Sequence, residues 1–155
     1  MSGSAAGSEV QARRQDAMRV LANASADELR QIYADMGMSV EASVLRGPET
    51  GLVTLRGRMG GGGAAFNVGE ATVTRVTVRL ATGEVGHAYH LGRDAERVRI
   101  AATIDALIQQ DGNAQRIERE LLGPLRQRNA SRSKRKRDET AATRVDFFTM
   151  VRGEH

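Results

Sequence analysis

A glycine-rich segment is the first place where residue types and spacing in this chain could do chemistry. Its candidate binding or interface residues are Arg58, Gly60, Gly61, Gly62, Gly63 and Phe66. Consecutive glycines allow several backbone amides to point into one concavity, which suits phosphate or another anion. Arg75 could add positive charge to such a site together with Arg58.

The same segment has a structural interpretation, which we favour. It lacks the Gly-Lys-Ser/Thr ending of a Walker loop, and no helical pattern follows it directly. A flexible connection between strands, or a loop that presses its backbone against a neighbouring subunit, also requires glycine. Direct binding of nucleotide phosphate is therefore the alternative hypothesis for this segment.

Two histidines, His87 and His90, are spaced as H-x-x-H. On a helix they would share a face, whereas on a strand they point to opposite faces. The surrounding pattern is that of a strand, so we do not expect the two rings to bind one metal ion. The chain has no cysteine, and no metal site is predicted.

A basic run occupies residues 126–137, with seven arginines and lysines and no acid. Without it, 16 basic residues face 19 acidic ones, so the rest of the chain has a net charge of −3. The run could contact nucleic-acid phosphates. It has no interleaved aromatic side chain to stack on bases, and Asp138 and Glu139 follow at once. We favour a solvated linker or an exposed helix over nucleic-acid binding.

Asp105 lies at the border of an apolar helical stripe, where it could act as a general base or pair with an arginine such as Arg99. No catalytic partner is evident, and no catalytic residue is predicted.

The C-terminal segment is the densest apolar run of an aromatic-poor chain. Its candidate interface residues are Arg144, Asp146, Phe147, Phe148, Met150 and Arg152. Chain termini lose order unless they are held in place. We therefore expect this segment to dock in the domain's own sheet or on a partner.

The helices and strands that must position these residues follow from the pattern of apolar residues. They predict a single α+β domain, with an antiparallel sheet of about four to five strands and flanking helices. Residues 1–8 form a flexible N-terminus, 9–125 the α+β core, 126–143 the basic linker or exposed helix, and 144–155 the apolar C-terminal segment. No signal peptide or membrane-spanning stretch is evident, which favours a soluble cytoplasmic protein without membrane contact.

Capping boxes predict the starts of two N-terminal helices, one from Ser8 and Gln11 and a stronger one from Ser25 and Glu28. Asp94 is the predicted N-cap of a longer helix. A further short helix is expected to end near residues 123–124, where glycine precedes proline.

Alternating apolar residues predict the strands between these helices. One strand covers residues 40–44 and is broken by Gly47 and Pro48, and a second covers 53–59. Residues 71–80 form a third strand, which a turn at 81–83 connects to a fourth at 85–91.

The glycine-rich block and the C-terminal segment resemble the PhnG family, the G subunit of the bacterial carbon–phosphorus lyase core complex. The matching residues are Glu49 to Val53, Arg58 to Gly61, Gly63, Phe66, Gly69, Thr72, Thr74, Arg75, Val78 to Leu80, Gly83, Gly92 to Asp94, Asp105 to Leu107, and Arg144 to Gly153. The basic run is the departure from the family pattern.

The resemblance implies an accessory, structural subunit in phosphonate catabolism. Such a subunit assembles with subunits H, I and J, two copies of each, to which ATPase-like subunits attach. The complex makes α-D-ribose 1-methylphosphonate 5-triphosphate from MgATP and alkylphosphonate and releases adenine. The resemblance implies that MgATP is a substrate of the complex and that this chain binds no cofactor directly.

Overall fold

One antiparallel sheet of three strands organises the chain. A computed structural model describes residues 3–59 and 62–142, with side chains from residue 7 onward. The strands are β1 (Ala42–Gly57), β2 (Phe66–Leu80) and β3 (Val85–Leu91), in the order β1–β2–β3. The α+β prediction is confirmed, with three strands in place of the expected four to five.

The missing strand is explained by β1, which continues through the predicted break at Gly47 and Pro48. Register shifts fall between Val44 and Arg46 and between Arg46 and Glu49. Such irregularities absorb extra residues and place a proline where the ladder needs no donor. Gly47 has a φ of 78°, and a Cβ there would lie 2.6 Å from the Arg75 carbonyl oxygen. The two predicted strands are therefore one.

Helix α3 covers one face of the sheet at one end, and the other helices pack on α3 or on one another. The helices are α1 (Gly3–Asn23), α2 (Ala26–Asp35), α3 (Ala95–Leu107), α4 (Asp111–Ile117) and α5 (Gly123–Ala142). Helix α3 packs on β2 and β3, and α1, α2 and α4 contact α3. The core lies between α3 and the sheet and between α3 and the surrounding helices.

The structure confirms two of the three helix caps that the sequence predicts. The Ser25 hydroxyl accepts from the Glu28 amide, and Glu28 accepts from the Ser25 amide, both at 3.2 Å. Asp94 accepts from the Arg97 amide at 2.9 Å. The capping box at Ser8 was wrong, since α1 already begins at Gly3. Ser8 lies inside the helix, where its backbone amide needs no side-chain cap.

The predicted helix end near Gly123 was also wrong. A π-helical turn spans Glu118–Leu122, and the Gly123 amide donates to the Glu118 carbonyl. Pro124 follows this turn as the second residue of α5, at the point where the π-helical turn interrupts the regular i→i−4 hydrogen bonds. The basic run consequently lies on α5, and α5 is exposed from residue 130 to its end.

Close contact between α3 and β3 requires a glycine. A Cβ on Gly86 would lie 1.9 Å from the Ala102 carbonyl oxygen and 2.7 Å from the Ala106 nitrogen. Only a residue without a side chain lets the two backbones approach this closely. Within residues 3–59 and 62–142, no helix is long and apolar enough to cross a bilayer.

Candidate interaction site

A two-stranded β-arm projects beyond the part of the sheet that the helices cover. Pairing of β3 with β2 stops at Val73 opposite Leu91. Past that row, only residues 52–57 of β1 and 66–72 of β2 pair with each other. We call these two segments, together with the described loop residues 58–59 and 62–65, the β-arm.

The β-arm carries large apolar side chains that the described residues leave in solvent. They are Leu52, Leu55, Met59, Phe66 and Val68, which are 45% to 78% exposed. Two-stranded hairpins are only marginally stable in water, and contiguous exposed apolar patches mark interaction sites. The exposure of the arm is therefore typical of an interaction surface.

Most of these side chains share the sheet face that points away from α3. Residues directly opposite in an antiparallel pair lie on the same face. Val76 and Val78 of β2 are buried, so Ala71 and Gly69 lie on the opposite face of the same strand. Leu55 pairs with Gly69 and therefore shares that face. Gly57, two positions further along β1, lies on it too and pairs with Phe66. Val68 joins this face, because its Cγ1 lies 2.9 Å from where a Cβ of Gly57 would be.

The open face continues from the arm towards β3. Tyr89 and Leu91 are 55% and 70% exposed and extend the apolar strip beside Val73. At the rise of a strand, the distance from the Arg75 row to Phe66 is roughly 30 Å. A shallow groove of about 250 Å³ lies within this strip, next to Gly51 and Tyr89.

Arg75 stands at the inner end of this strip and is held by Glu49. Its Nε and Nη2 donate to Glu49 Oε2 at 2.9 and 2.7 Å. Hydrogen bonds from Arg46 and Arg75 hold the pKa of Glu49 below its ordinary value. Because Arg75 lies about 30 Å along the strand from Phe66, it does not converge with Arg58 on the glycine-rich loop.

The remaining predicted site residues lie at the tip of the arm or outside the described residues. Arg58, Gly62 and Gly63 are exposed, and the Gly63 amide donates to the Met59 carbonyl at 3.4 Å. The predicted residues outside the described ranges are Gly60, Gly61, Arg144, Asp146, Phe147, Phe148, Met150 and Arg152.

Asp105 is buried and pairs with Arg14, so the proposed pairing with Arg99 was wrong. Arg14 donates from Nε to Oδ1 and from Nη2 to Oδ2, each at 2.8 Å. The His87 amide also donates to Oδ2 at 2.8 Å. One carboxylate thus ties α1, α3 and β3 together. Sequence reasoning missed Arg14, which precedes Asp105 by 91 residues.

His87 and His90 point to opposite faces of β3, as the strand pattern predicted. His87 is exposed, and His90 is buried with no hydrogen-bond partner for Nε2 among the described residues. Burial and the neighbouring Arg97 lower the pKa of His90 to about 4. In the described part of the chain, no group of three His, Cys, Asp or Glu residues could hold a metal ion.

Comparison with known proteins assigns this chain to a family. A family model described as phosphonate metabolism protein PhnG matches residues 12–153. The chain belongs to the PhnG family. It is 52% identical over 143 residues to the α-D-ribose 1-methylphosphonate 5-triphosphate synthase subunit PhnG of Rhizobium meliloti (strain 1021). The match covers 92% of this chain and 91% of that protein.

The PhnG match includes both regions on which the resemblance was based. It spans the β-arm, with Gly63, Phe66 and Gly69, and it extends to Gly153 in the C-terminal segment. The family prediction is therefore confirmed over nearly the full chain.

Proposed function

We propose that this chain is an accessory, structural subunit of a complex that makes α-D-ribose 1-methylphosphonate 5-triphosphate. In this function MgATP and an alkylphosphonate react with release of adenine, as a step of phosphonate catabolism in the bacterial cytoplasm. Near full-length similarity to a protein named as a subunit of that synthase supports membership of a complex. MgATP is a substrate of the complex, and this chain binds no cofactor of its own.

The β-arm is the observation that carries a structural role for the chain. Its large apolar side chains are 45% to 78% exposed, and none of them belongs to the hydrophobic core of the described residues. Burying such a surface against another subunit gains the hydrophobic stabilisation that these side chains do not gain when this chain folds alone. The partners we propose are the H, I and J subunits of the carbon–phosphorus lyase core, two copies of each, with ATPase-like subunits attached.

The buried polar groups support an accessory role. Both oxygens of Asp105 accept charge-assisted or backbone hydrogen bonds from Arg14 and His87, so its carboxylate is occupied by structure. Arg75 is not buried, since its side chain is 40% exposed, but it is likewise paired with Glu49. Groups that hold elements together in this way are poor candidates for proton transfer to a substrate.

Co-expression with the H, I and J subunits tests the proposal. We expect the unaltered chain to be recovered in the complex, and a Leu55→Asp/Phe66→Asp variant to be lost from it. Both side chains are exposed, so the isolated variant keeps its melting temperature within a few degrees. Recovery of this variant at the level of the unaltered chain would refute the β-arm as the contact surface.

Two further chains make the experiment specific. Gln127→Asp/Ser131→Asp adds the same charge at exposed positions of α5 and should assemble normally. A chain that ends at Thr143 tests the C-terminal segment in the same assay, and we expect it to assemble less well. Failure of the unaltered chain to enter the complex would refute the subunit role itself.

A further inference from the structure

The two outer edges of the sheet are treated differently. An edge strand presents unpaired N–H and C=O groups and is a template for another strand unless it is protected. At the β3 edge, Asp105 accepts from the His87 amide, and Gln109 Nε2 donates to the Val85 carbonyl at 2.8 Å. Side chains of α3 and its C-terminal extension therefore protect the β3 edge at Val85 and His87.

The β1 edge has one regular stretch between irregular ends. Two register shifts and Pro48, which has no N–H, interrupt the strand on the inner side, and a third register shift falls between Leu55 and Arg56. From Glu49 to Leu55 the pairing with β2 continues without a shift over seven residues. On the outer side of these seven residues, no backbone hydrogen bond is formed with any other described part of the chain.

The unprotected stretch also has the composition of a strand inside a sheet. Leu52, Val53 and Leu55 are apolar, and Thr50 and Thr54 are β-branched residues of the same stretch. Charged side chains and proline, which blunt natural edge strands, are absent between residues 50 and 55. Its length is about 23 Å, comparable with a whole strand of average size.

We infer that β1, from Glu49 to Leu55, accepts an extended strand of a partner subunit and so enlarges the sheet of the β-arm. The occupant is a segment with apolar residues at alternate positions, which would continue the strip formed by Val53 and Leu55. Backbone hydrogen bonds supply affinity in this mode, and the alternate side chains supply specificity. An acidic residue of that segment would face Arg56, which is exposed and makes no ion pair with the described residues.

This inference rests on the proposed function, because it identifies how a subunit would bind the arm. Val53→Pro and Thr54→Pro test it as a pair, since successive N–H groups along a strand point to opposite sides. One substitution removes a hydrogen bond to β2, and the other removes only the outward N–H. Val53→Ala and Thr54→Ala are the matched controls, because they keep both N–H groups.

We expect one proline variant to lower the melting temperature of the isolated chain and the other to melt like its alanine control. Edge strands tolerate proline where the N–H faces solvent. The second variant should nevertheless bind the H, I and J subunits at least ten-fold more weakly than its alanine control. Unchanged binding would overturn strand addition, while loss of binding by Leu55→Asp/Phe66→Asp would leave the proposed function standing.

Residue-resolved hydrogen exchange gives an answer even if both proline variants unfold. Alternate amides between residues 50 and 56 should exchange rapidly in the isolated chain and at least ten-fold more slowly in the complex. Equal rates in both states would overturn the inference. Sedimentation of the isolated chain tests whether a second copy of this chain is the occupant. A dimer that an edge proline converts to a monomer would identify such an occupant and would also overturn the inference.

Discussion

The helix-covered half of the sheet and the β-arm are built from the same two strands but have opposite relations to solvent. In the covered half, Val76 and Val78 of β2 are 3% and 1% exposed. In the arm, Leu52 lies on the same sheet face, because it pairs with Thr72, two positions before the buried Thr74, and it is 63% exposed. All three residues are aliphatic, so the difference comes from α3, which covers one half of this face and stops short of the other.

The energetic consequence differs between the halves. Full burial of a valine or leucine side chain contributes about 1.5–3 kcal/mol relative to exposure. The covered half therefore contributes buried side chains to the hydrophobic core, while the exposed apolar side chains of the arm contribute little to stability and are available for association. A sheet can thus serve as a core at one end and as an interface at the other.

Exchanging glycine for alanine in each half should give the largest contrast. Gly86→Ala places a Cβ 1.9 Å from the Ala102 carbonyl oxygen, so α3 must move away from β3. We expect a loss of about 3 kcal/mol or more in the free energy of unfolding, measured by urea denaturation. Gly69→Ala in the arm meets nothing within 4 Å and should change stability by less than about 0.5 kcal/mol. Similar losses for both would contradict the comparison.

Removing the acid that connects the covered half should have the next largest effect. Asp105→Ala leaves the Arg14 guanidinium and the His87 amide without their acceptor. We expect a loss of about 2–3 kcal/mol, less than for a fully buried pair because the Arg14 side chain is 31% exposed.

Asp16 provides the control for this ion pair. It pairs with Arg126 at 2.7 Å but is 49% exposed, so Asp16→Asn should cost less than about 1 kcal/mol. A cost for Asp105→Ala no greater than that of the control would show that Asp105 does not connect the helices to β3.

The pH dependence of stability should show the smallest effect, and it distinguishes the buried face of β3, which carries His90, from the exposed face, which carries His87. The pKa of His90 is about 4 in the folded state and near 6.5 in the unfolded state, since burial and Arg97 oppose its protonation and Asp94 only partly offsets them. The unfolded state therefore binds the proton more tightly. The stabilisation is present above pH 6.5 and is lost as the pH falls towards 4.

Between pH 7 and pH 5 we expect His90 to account for a loss of about 1–2 kcal/mol in the free energy of unfolding. His90→Leu should remove this part of the pH dependence. His87→Gln, on the exposed face of the same strand, should retain it. An unchanged pH profile in His90→Leu would assign the dependence to other groups.

The fold class, two helix starts and the opposed directions of His87 and His90 could be predicted because each depends on neighbours close in the chain. Ser25 and Asp94 form caps with residues only three positions away. The strand count was too high because a glycine before a proline predicts a break. In the structure, bulges let β1 continue through that point, and pairing with β2 on both sides holds it in place.

The interface role of the candidate site stays a prediction. Phe66, Gly62 and Gly63 lie on the exposed arm, whereas the expectation that Arg75 joins Arg58 is not met. Strand geometry separates them, because residues at opposite ends of an extended strand cannot meet.

The sequence by itself determined the local structure and the family of this protein. Short-range hydrogen bonds and side-chain periodicity are properties of consecutive residues, and the family match depends only on residue identities along the chain. The tertiary structure alone decided which strand segments are covered, why Gly86 must be glycine and that Arg14 holds Asp105. Those features depend on how α3 lies against the sheet, and packing between distant segments has no signature in any short window of sequence.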